Sequence, residues 1–457
     1  MTVYYEGQTG VTEPIFFDAA EHRIPKRTFN KRVIQPSKMF VIKEELKAFV
    51  EKNPTVPIYN ASQGDGGMSL GGIPPEELAQ ALLRYLPTHG STKYGDPVGR
   101  ADIREAIAKN YYGFSTLGAD NIILGDGGRD LLQKWYQLIQ QGCGHVGGSL
   151  IVSAAPWGSY MQGTYMSCLN TISAPGSADD GFQITPEGID SCIARAEQEG
   201  MPVVALVITT PDNPTGNYLQ KEEIARLIEH AAARGIRYVL VDLMYQSVTD
   251  PDVGMYDIAG LFEELSSAAK NAVFFLDGLT KSVGGSNLRN CHLVCGGNEH
   301  ILRLKGLATH SVLPNALGEA AALAVYGQDN PIEHPWVQRV VIPTAESRAL
   351  LKSGLAEKGF RAIIGQGYYA FINVWPWLNR RIPTAHQFVD INTGRTVSHI
   401  DSATTLKSYL AQQWGLAIIH GSVFRQPAFI RFSYANTPAY TQGALHRFEE
   451  ALSVLES

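Results

Sequence analysis

The chain has little that would direct it to a membrane, a nucleic acid or an oxidising compartment. No run of about 18 apolar residues occurs in its 457 positions, so no membrane-spanning helix is expected. Its first ten residues, MTVYYEGQTG, lack a basic stretch followed by an apolar one, and no secretory signal is read there. An excess of one charge is also missing. The 38 Lys and Arg against 44 Asp and Glu leave a net charge of −6, which argues against dedicated nucleic-acid or anionic-membrane binding. Cysteine is scarce: Cys143, Cys168, Cys192, Cys291 and Cys295 are odd in number, scattered, and form no C-x-x-C pair. That pattern reads as reduced cytoplasmic thiols and no metal site. Internal repeats and low-complexity tracts are absent too.

What is present is a composition that can bury a core. Hydrophobic residues make up 44% and charged residues 18%, and the length suits two to three domains. Residues 1–37, with Pro14, Pro25 and Pro36, read as an irregular surface arm. Helical spacing follows over 38–51, 75–85 and 98–111. From about residue 121, strands at 122–124, 150–153, 203–209, 237–241 and 272–276 alternate with helices at 131–140, 186–199 and 221–233. Such alternation predicts an α/β fold with a mostly parallel sheet covered on both faces. After about residue 331 the pattern changes to a long helix at 340–358, strands at 360–364, 369–374 and 429–432, and a helix at 443–455. This predicts a smaller α+β lobe, with 379–400 as a polar surface excursion. The expected division is an arm at 1–37, a large domain at 75–330, and a small domain from 38–74 and 331–457.

One motif misleads. Gly142-Cys143-Gly144-His145-Val146-Gly147 matches G-x-G-x-x-G. The dinucleotide fingerprint must follow a strand and open a helix, and this one does the reverse. It reads as a helix-to-strand loop.

Three other motifs carry chemistry. Asn213-Pro214-Thr215-Gly216 follows the 203–209 strand, where a tight turn alone would explain it. Val241-Asp242-Leu243-Met244-Tyr245 ends a β-branched strand in an acid, at the edge where open α/β sheets place their ligands; a helix N-cap is the plain alternative. Gly278-Leu279-Thr280-Lys281 is followed by Arg289 eight residues later, through a Gly- and Ser-rich stretch whose backbone can approach an anion.

In combination these resemble the class I/II aminotransferase family of fold-type I enzymes, whose cofactor is pyridoxal 5′-phosphate. The likeness runs from about Gly64 to Arg431. It implies a large cofactor-binding domain with a mostly parallel, seven-stranded type of sheet, plus a smaller α+β lobe. It also implies a role for each matching residue. Lys281 would be the Schiff-base lysine and proton carrier, with Thr280 beside it in the cofactor site. Asp242 would pair with the ring nitrogen, and Tyr245 and Asn213 would bond the ring's phenolate oxygen. Trp157 would stack on the ring, a core tryptophan being the alternative. Gly127, Gly128 and Arg129, at a strand-to-helix turn, would hold the phosphate through backbone N–H groups, with Arg289 as a clamp. Arg431 would bind the substrate's α-carboxylate and Gly64 would lie over the substrate.

Tyr94, and more weakly Ser311, would reach the neighbouring subunit's phosphate, which implies a homodimer with shared sites. Two positions depart from the family pattern. Gly278 stands where a serine is common, and Arg129 where Ser, Thr or Gln is usual. Tyrosines such as Tyr4, Tyr5, Tyr368 and Tyr369 could line a pocket or simply pack. The implied activity is transfer of an amino group from an L-amino acid to a 2-oxo acid. Elimination, replacement, cyclisation or oxidation at the same carbon is the alternative.

Overall fold

The computed structural model describes residues 10–11, 13–16, 41–90, 92–143 and 147–456. Eight strands form the large sheet: β1 (Ile15–Phe16), β2 (Ile122–Asp126), β3 (Ser149–Val152), β4 (Asn170–Ser173), β5 (Val203–Thr209), β6 (Tyr238–Asp242), β7 (Val273–Gly278) and β8 (Asn290–Cys295). Their order is β1-β4-β3-β5-β6-β7-β8-β2. Neighbours from β4 through β7 run parallel, while β8 is antiparallel to both β7 and β2. The sheet is thus the expected mostly parallel one, with β1 added antiparallel at its edge. That edge strand corrects the reading of the first 37 residues as wholly irregular. Gly10–Val11 likewise pairs with Gly176–Ser177. The rest of that arm lies outside the described residues.

Strand alternation sets the two faces. Along β6 and β7, Val239, Val241 and Phe275 pack into one core with Ile103, Ile189 and Leu227. Leu240, Phe274 and Leu276 pack into the other with Leu131, Trp135 and Leu138. Each fully buried Leu or Ile contributes about 1.5–3 kcal/mol. Asp242 therefore points to the second face and Asp277 to the first. The helices used below are α1 (Val41–Lys52), α2 (Pro75–His89), α3 (Gly128–Cys143), α4 (Gly158–Met166), α5 (Ala316–Tyr326), α6 (Pro335–Glu357), α7 (Ala403–Trp414) and α8 (Pro438–Ser453).

The second sheet holds β9 (Ala362–Ile364), β10 (Tyr369–Asn373), β11 (Ile419–His420) and β12 (Phe429–Ser433), in the order β9-β10-β12-β11 and antiparallel throughout. Leu351 and Leu355 of α6, Leu406 of α7 and Phe448 of α8 form its core with Ile372 and Ile430. Helix α1 docks on α7 through a buried ion pair, with Lys407 Nζ 2.8 Å from both oxygens of Glu45.

Several segments differ from expectation, strand β4 and helices α4, α5 and α7 among them, none of which was read from the sequence. Strand β8 was not foreseen, because its buried Asn290 and His292 break the apolar run. The 98–111 helix is α-helical only over Ala101–Ala106 and continues as a π-helix over Ile107–Tyr112. The 379–400 excursion carries a short hairpin, Phe388–Val389 against Thr396–Val397. Its turn is tied down by Gln412 Nε2, which donates to Asp390 at 3.0 Å. The Gly142–Gly147 motif begins within the end of α3 and precedes β3, and its residues 144–146 lie outside the described residues. No described helix is long and apolar enough to cross a membrane.

Candidate active site

The site forms where the carboxyl ends of β5, β6 and β7 face β10 and β12. Lys281 stands in a single helical turn, Leu279–Ser282, directly after β7. Its Nζ donates to the carbonyl of Gly64 and lies 5.8 Å from the ring centres of both Tyr245 and Tyr368. Tyr368 holds the lysine's backbone, its hydroxyl donating to Lys281 O at 2.6 Å. Among the described residues no acid pairs with Lys281.

Asp242 is buried at the end of β6. One carboxylate oxygen accepts from Tyr160 Oη at 2.6 Å and the other from the Met244 amide at 3.1 Å. Burial pushes its carboxyl above the usual range, and those two bonds pull the other way. No cation pairs with it among the described residues. A buried carboxylate in that state calls for a positively charged N–H partner.

The anion cradle lies at the start of α3. Gly127 has φ 87° and packs on the guanidinium of Arg289, so a Cβ there would run into Arg289 Nη2. Arg289 is itself held at φ 51°, with Nη1 3.1 Å from Ser286 O and Nη2 3.3 Å from Asp126 O. The first N–H groups of α3, on Gly128 and Arg129, have no intrahelical acceptor and point out of the helix with its positive dipole end. The exposed Arg129 side chain turns to Trp157, with Cζ 5.8 Å from the ring centre. Trp157 precedes α4 and meets Tyr160 edge-on at 5.4 Å.

Arg431, in the middle of β12, is buried. Nη1 donates to Asn213 Oδ1 and Nη2 to Ser62 O, both at 2.7 Å. Nε has no acceptor, and no acid lies within ion-pair range among the described residues. Two of five guanidinium N–H groups are thus engaged, leaving a planar donor set suited to a carboxylate.

Glycine is required opposite this arginine. A Cβ on Gly64 would strike the Tyr369 hydroxyl. Nearby, the helical turn Gly66–Ser69 and the segment after Lys281 touch backbone to backbone, a Cβ on Gly284 coming 2.5 Å from the Gly67 amide nitrogen. Gly278 has a similar explanation. A Cβ there would lie 2.5 Å from Cys291 Cα and 2.7 Å from Asn290 O, which leaves no room for the serine common at this position. Thr280 turns to the same cysteine, Oγ1 to Sγ 3.3 Å.

The structure therefore links Lys281, Gly64, Tyr245, Arg431 and Asn213 through Tyr369, joins Asp242 to Trp157 through Tyr160, and ties Trp157 to the Gly127–Arg289 cradle through Arg129. It does not bring in Tyr94, which is 90% exposed ahead of the Ala101 helix, or Ser311, whose hydroxyl donates to Ala308 O. Tyr160 was missed as a site residue, and the sequence leaves Tyr368 and Tyr369 between pocket and packing; Tyr4 and Tyr5 lie outside the described residues. Tyr160 holds Asp242, Tyr368 holds the lysine turn, and Tyr369 stacks on Arg431 while its hydroxyl lies 3.1 Å from that of Tyr245. Burial pushes Tyr245 well above the ordinary phenol range. Burial acts the same way on Tyr369, but the positive charges of Arg431 and Lys281 and the Tyr245 bond outweigh it and lower Tyr369. The one signal for Tyr369 was its place at the head of a predicted strand.

A family model for aminotransferases of class I and II matches residues 60–448. The chain belongs to that family. Aspartate aminotransferase of Geobacillus stearothermophilus is 25% identical over 388 residues, covering 82% of this chain and 88% of that one. A probable aspartate/prephenate aminotransferase of Aquifex aeolicus is 21% identical over 421 residues, covering 92% and 96%. The solved aspartate aminotransferase of Rhizobium meliloti shares the fold, with TM-score 0.75, 21% identity, and coverage of 94% of this chain and all of that one. A Thermus thermophilus aspartate aminotransferase double mutant gives TM-score 0.74 at 22% identity, with 93% and 100% covered. Membership brings the family's cofactor, pyridoxal 5′-phosphate, and its chemistry, amino-group transfer at the α-carbon of an amino acid. The residues present fit that cofactor: an uncompensated buried carboxylate, a glycine-arginine anion cradle and a reachable lysine amine.

Proposed function

We propose that this aminotransferase works with Lys281 as its amine, Asp242 and Tyr245 as its ring partners and Arg431 as its carboxylate clamp, passing the amino group of an L-amino acid to a 2-oxo acid. Pyridoxal 5′-phosphate, when bound, supplies an aldehyde for the amine and a sink for the Cα electron pair. Lys281 Nζ would hold the aldehyde and then carry the Cα proton. Asp242 would keep the ring nitrogen protonated. Tyr245 and Asn213 would bond the phenolate oxygen, and Trp157 would cover the ring. Arg289 and the Gly128 and Arg129 amides would hold the phosphate, with Gly127 giving them room and Thr280 flanking the lysine. Arg431 orients the α-carboxylate under Gly64, and Tyr369 and Tyr368 shield that end from water.

The observation that carries the reading is Arg431: a buried guanidinium with an unsatisfied Nε–H, bonded to Asn213 and stacked on Tyr369, whose phenol the Lys281 charge also reaches. The test is the absorption spectrum of the purified protein. A visible band should appear that borohydride removes, fixing cofactor mass on Lys281. An L-amino acid should bleach the band and a 2-oxo acid restore it. L-aspartate is the first donor to try, because the relatives are named for it. Keto-acid release with no acceptor present would instead favour elimination.

Three coarser features belong to the same proposal. The chain acts as a homodimer in which Tyr94 reaches the neighbouring phosphate. Its 90% exposure and that of Leu83, Met68 and Val312 support this, and sedimentation tests it. Residues 75–330 form the cofactor domain, and 38–74 with 331–457 the small domain; two main cores support this, the first reaching past the boundary to Trp336, Val337 and Val341. The five cysteines, none of them in a disulfide, suit the cytoplasm, where a biosynthetic role is expected.

A further inference from the structure

On the sheet face opposite Asp242, a second carboxylate is fully buried. Asp277, the penultimate residue of β7, accepts three hydrogen bonds. Tyr111 Oη donates to Oδ2 at 2.7 Å, Gln246 Nε2 to Oδ2 at 2.6 Å, and the Gly278 amide to Oδ1 at 2.7 Å. The donors come from three separate segments. Tyr111 lies in the π-helix, whose wide turn sends both Tyr111 and Tyr112 inward, the latter to His292 Nε2 at 2.8 Å. Gln246 directly follows Tyr245. Gly278 opens the turn that carries Lys281. One carboxylate thus ties together the two segments that hold Lys281 and Tyr245.

We propose that Asp277 is a positioning residue for the reaction, its ionised carboxylate setting the spacing of Lys281 and Tyr245 through the Gly278 amide and Gln246. The proposal rests on the roles given above to those two side chains. All three groups donate to the ionised carboxylate; a proton on either oxygen would make one of them turn, the Tyr111 hydroxyl to accept or the Gln246 amide to present its buried, unpartnered Oε1. The three-donor clamp is thus that of the charged form, and among the described residues no cation pairs with it. The titratable groups around it are Tyr111, Tyr112, Tyr326, Cys291, His292 and, through the sheet, Asp242. His292 stays neutral, burial pushing it down to about 3. Burial pushes Asp277 up to about 7, against the bonds from Gln246, Tyr111 and Gly278. The clamp is therefore poised to loosen as pH falls through neutrality.

The experiment uses full-length protein freed of cofactor, as wild type, Asp277→Asn and Tyr111→Phe. Capture of added pyridoxal 5′-phosphate by Lys281 is followed by visible absorbance across the neutral range, alongside kcat and KM of the reloaded enzymes. Wild type should show an inflection near pH 7 in the capture rate. Asp277→Asn should lose that inflection and fall roughly tenfold in capture rate and kcat, with KM for the amino acid unchanged. Tyr111→Phe removes a donor that favours the ionised form, so the inflection should move to higher pH. An Asp277→Asn protein with the wild-type profile and rate overturns the proposal. So does a Tyr111→Phe inflection that stays in place, which also decides the matter if Asp277→Asn does not fold. A wild-type protein that captures no aldehyde overturns the lysine assignment first, and this proposal with it.

Discussion

The guanidinium of Arg431 lies against the ring of Tyr369, with 4.1 Å between Cζ and the ring centre. Phe424 gives a second aromatic contact at 5.1 Å. The rings keep water off the cation, and the Tyr369 hydroxyl reaches on to Tyr245. A desolvated cation–ring contact is worth about 2 kcal/mol. Tyr369→Leu should therefore raise KM for the amino acid roughly tenfold to thirtyfold. Tyr369→Phe, which keeps the ring, should stay near wild type in KM. Steady-state kinetics of the pair separates ring from hydroxyl.

Arg431→Lys should keep the cofactor and lose the substrate. A lysine has no planar fork to meet a carboxylate while also bonding Asn213 and Ser62. Losing a hydrogen bond between charged groups costs about 1.5–3 kcal/mol, so amino-acid affinity should drop roughly tenfold to hundredfold. Spectral titration with the amino acid measures the loss. Bound cofactor per chain should be unchanged.

Tyr160→Phe should move a pH limb. The Tyr160 bond favours the ionised form of Asp242, whose pKa burial already raises. Removing the hydroxyl raises it further, so activity should fall away at a higher pH on the acid side, with the alkaline limb unmoved. A kcat/KM profile against pH reads the shift. An acid limb that stays in place would show that Asp242 does not set it.

Gly278→Ser, the change toward the common family residue, should destabilise the fold. The new Cβ meets Cys291 Cα and Asn290 O, which are backbone atoms and cannot swing aside. The cost should be about 1–3 kcal/mol by urea denaturation. Shrinking the cysteine side chain in Cys291→Ala should not recover it.

Asp277→Asn should also change how stability depends on pH. The folded-state pKa of about 7 lies above the ordinary 3.8, so the native state holds the proton more tightly than the unfolded chain. That contribution is full below the unfolded value and is lost as pH rises through about 7. The amide that replaces the carboxyl cannot titrate. Stability of the cofactor-free variant, measured by denaturation, should therefore fall less steeply with pH over that window than that of wild type.

The parts of the site that lie at strand ends were legible in the sequence. Asp242 and Lys281 each close an apolar run, and Asn213 and Gly127 sit in turns that need their residue types. Arg431 was legible because a cation inside a strand has to be explained. Tyr160, Tyr368, Tyr369 and Asp277 were not. Their roles depend on partners far along the chain, such as Tyr111 for Asp277, 166 residues away, and a tyrosine at a helix start looks like any packing residue. Strand β8 was hidden for a related reason. It is buried on both faces, yet it carries Asn290 and His292, the latter paired with Tyr112, so the apolar pattern fails there. The π-helix at Ile107–Tyr112 shares the apolar spacing of an ordinary helix end.

The contact between Gly67 and Gly284 bears on how this enzyme can be recombined. No side chain separates the two segments, so neither can absorb an insertion or a bulkier residue in the other. A chimaera with a single crossover between positions 67 and 284 would take one segment from each parent. Such hybrids should fail whenever the parents differ in the length of either segment, however well their sheets match. The helical turn at Gly67 and the bend at Gly284 behave as one inherited unit, split across more than two hundred positions of sequence.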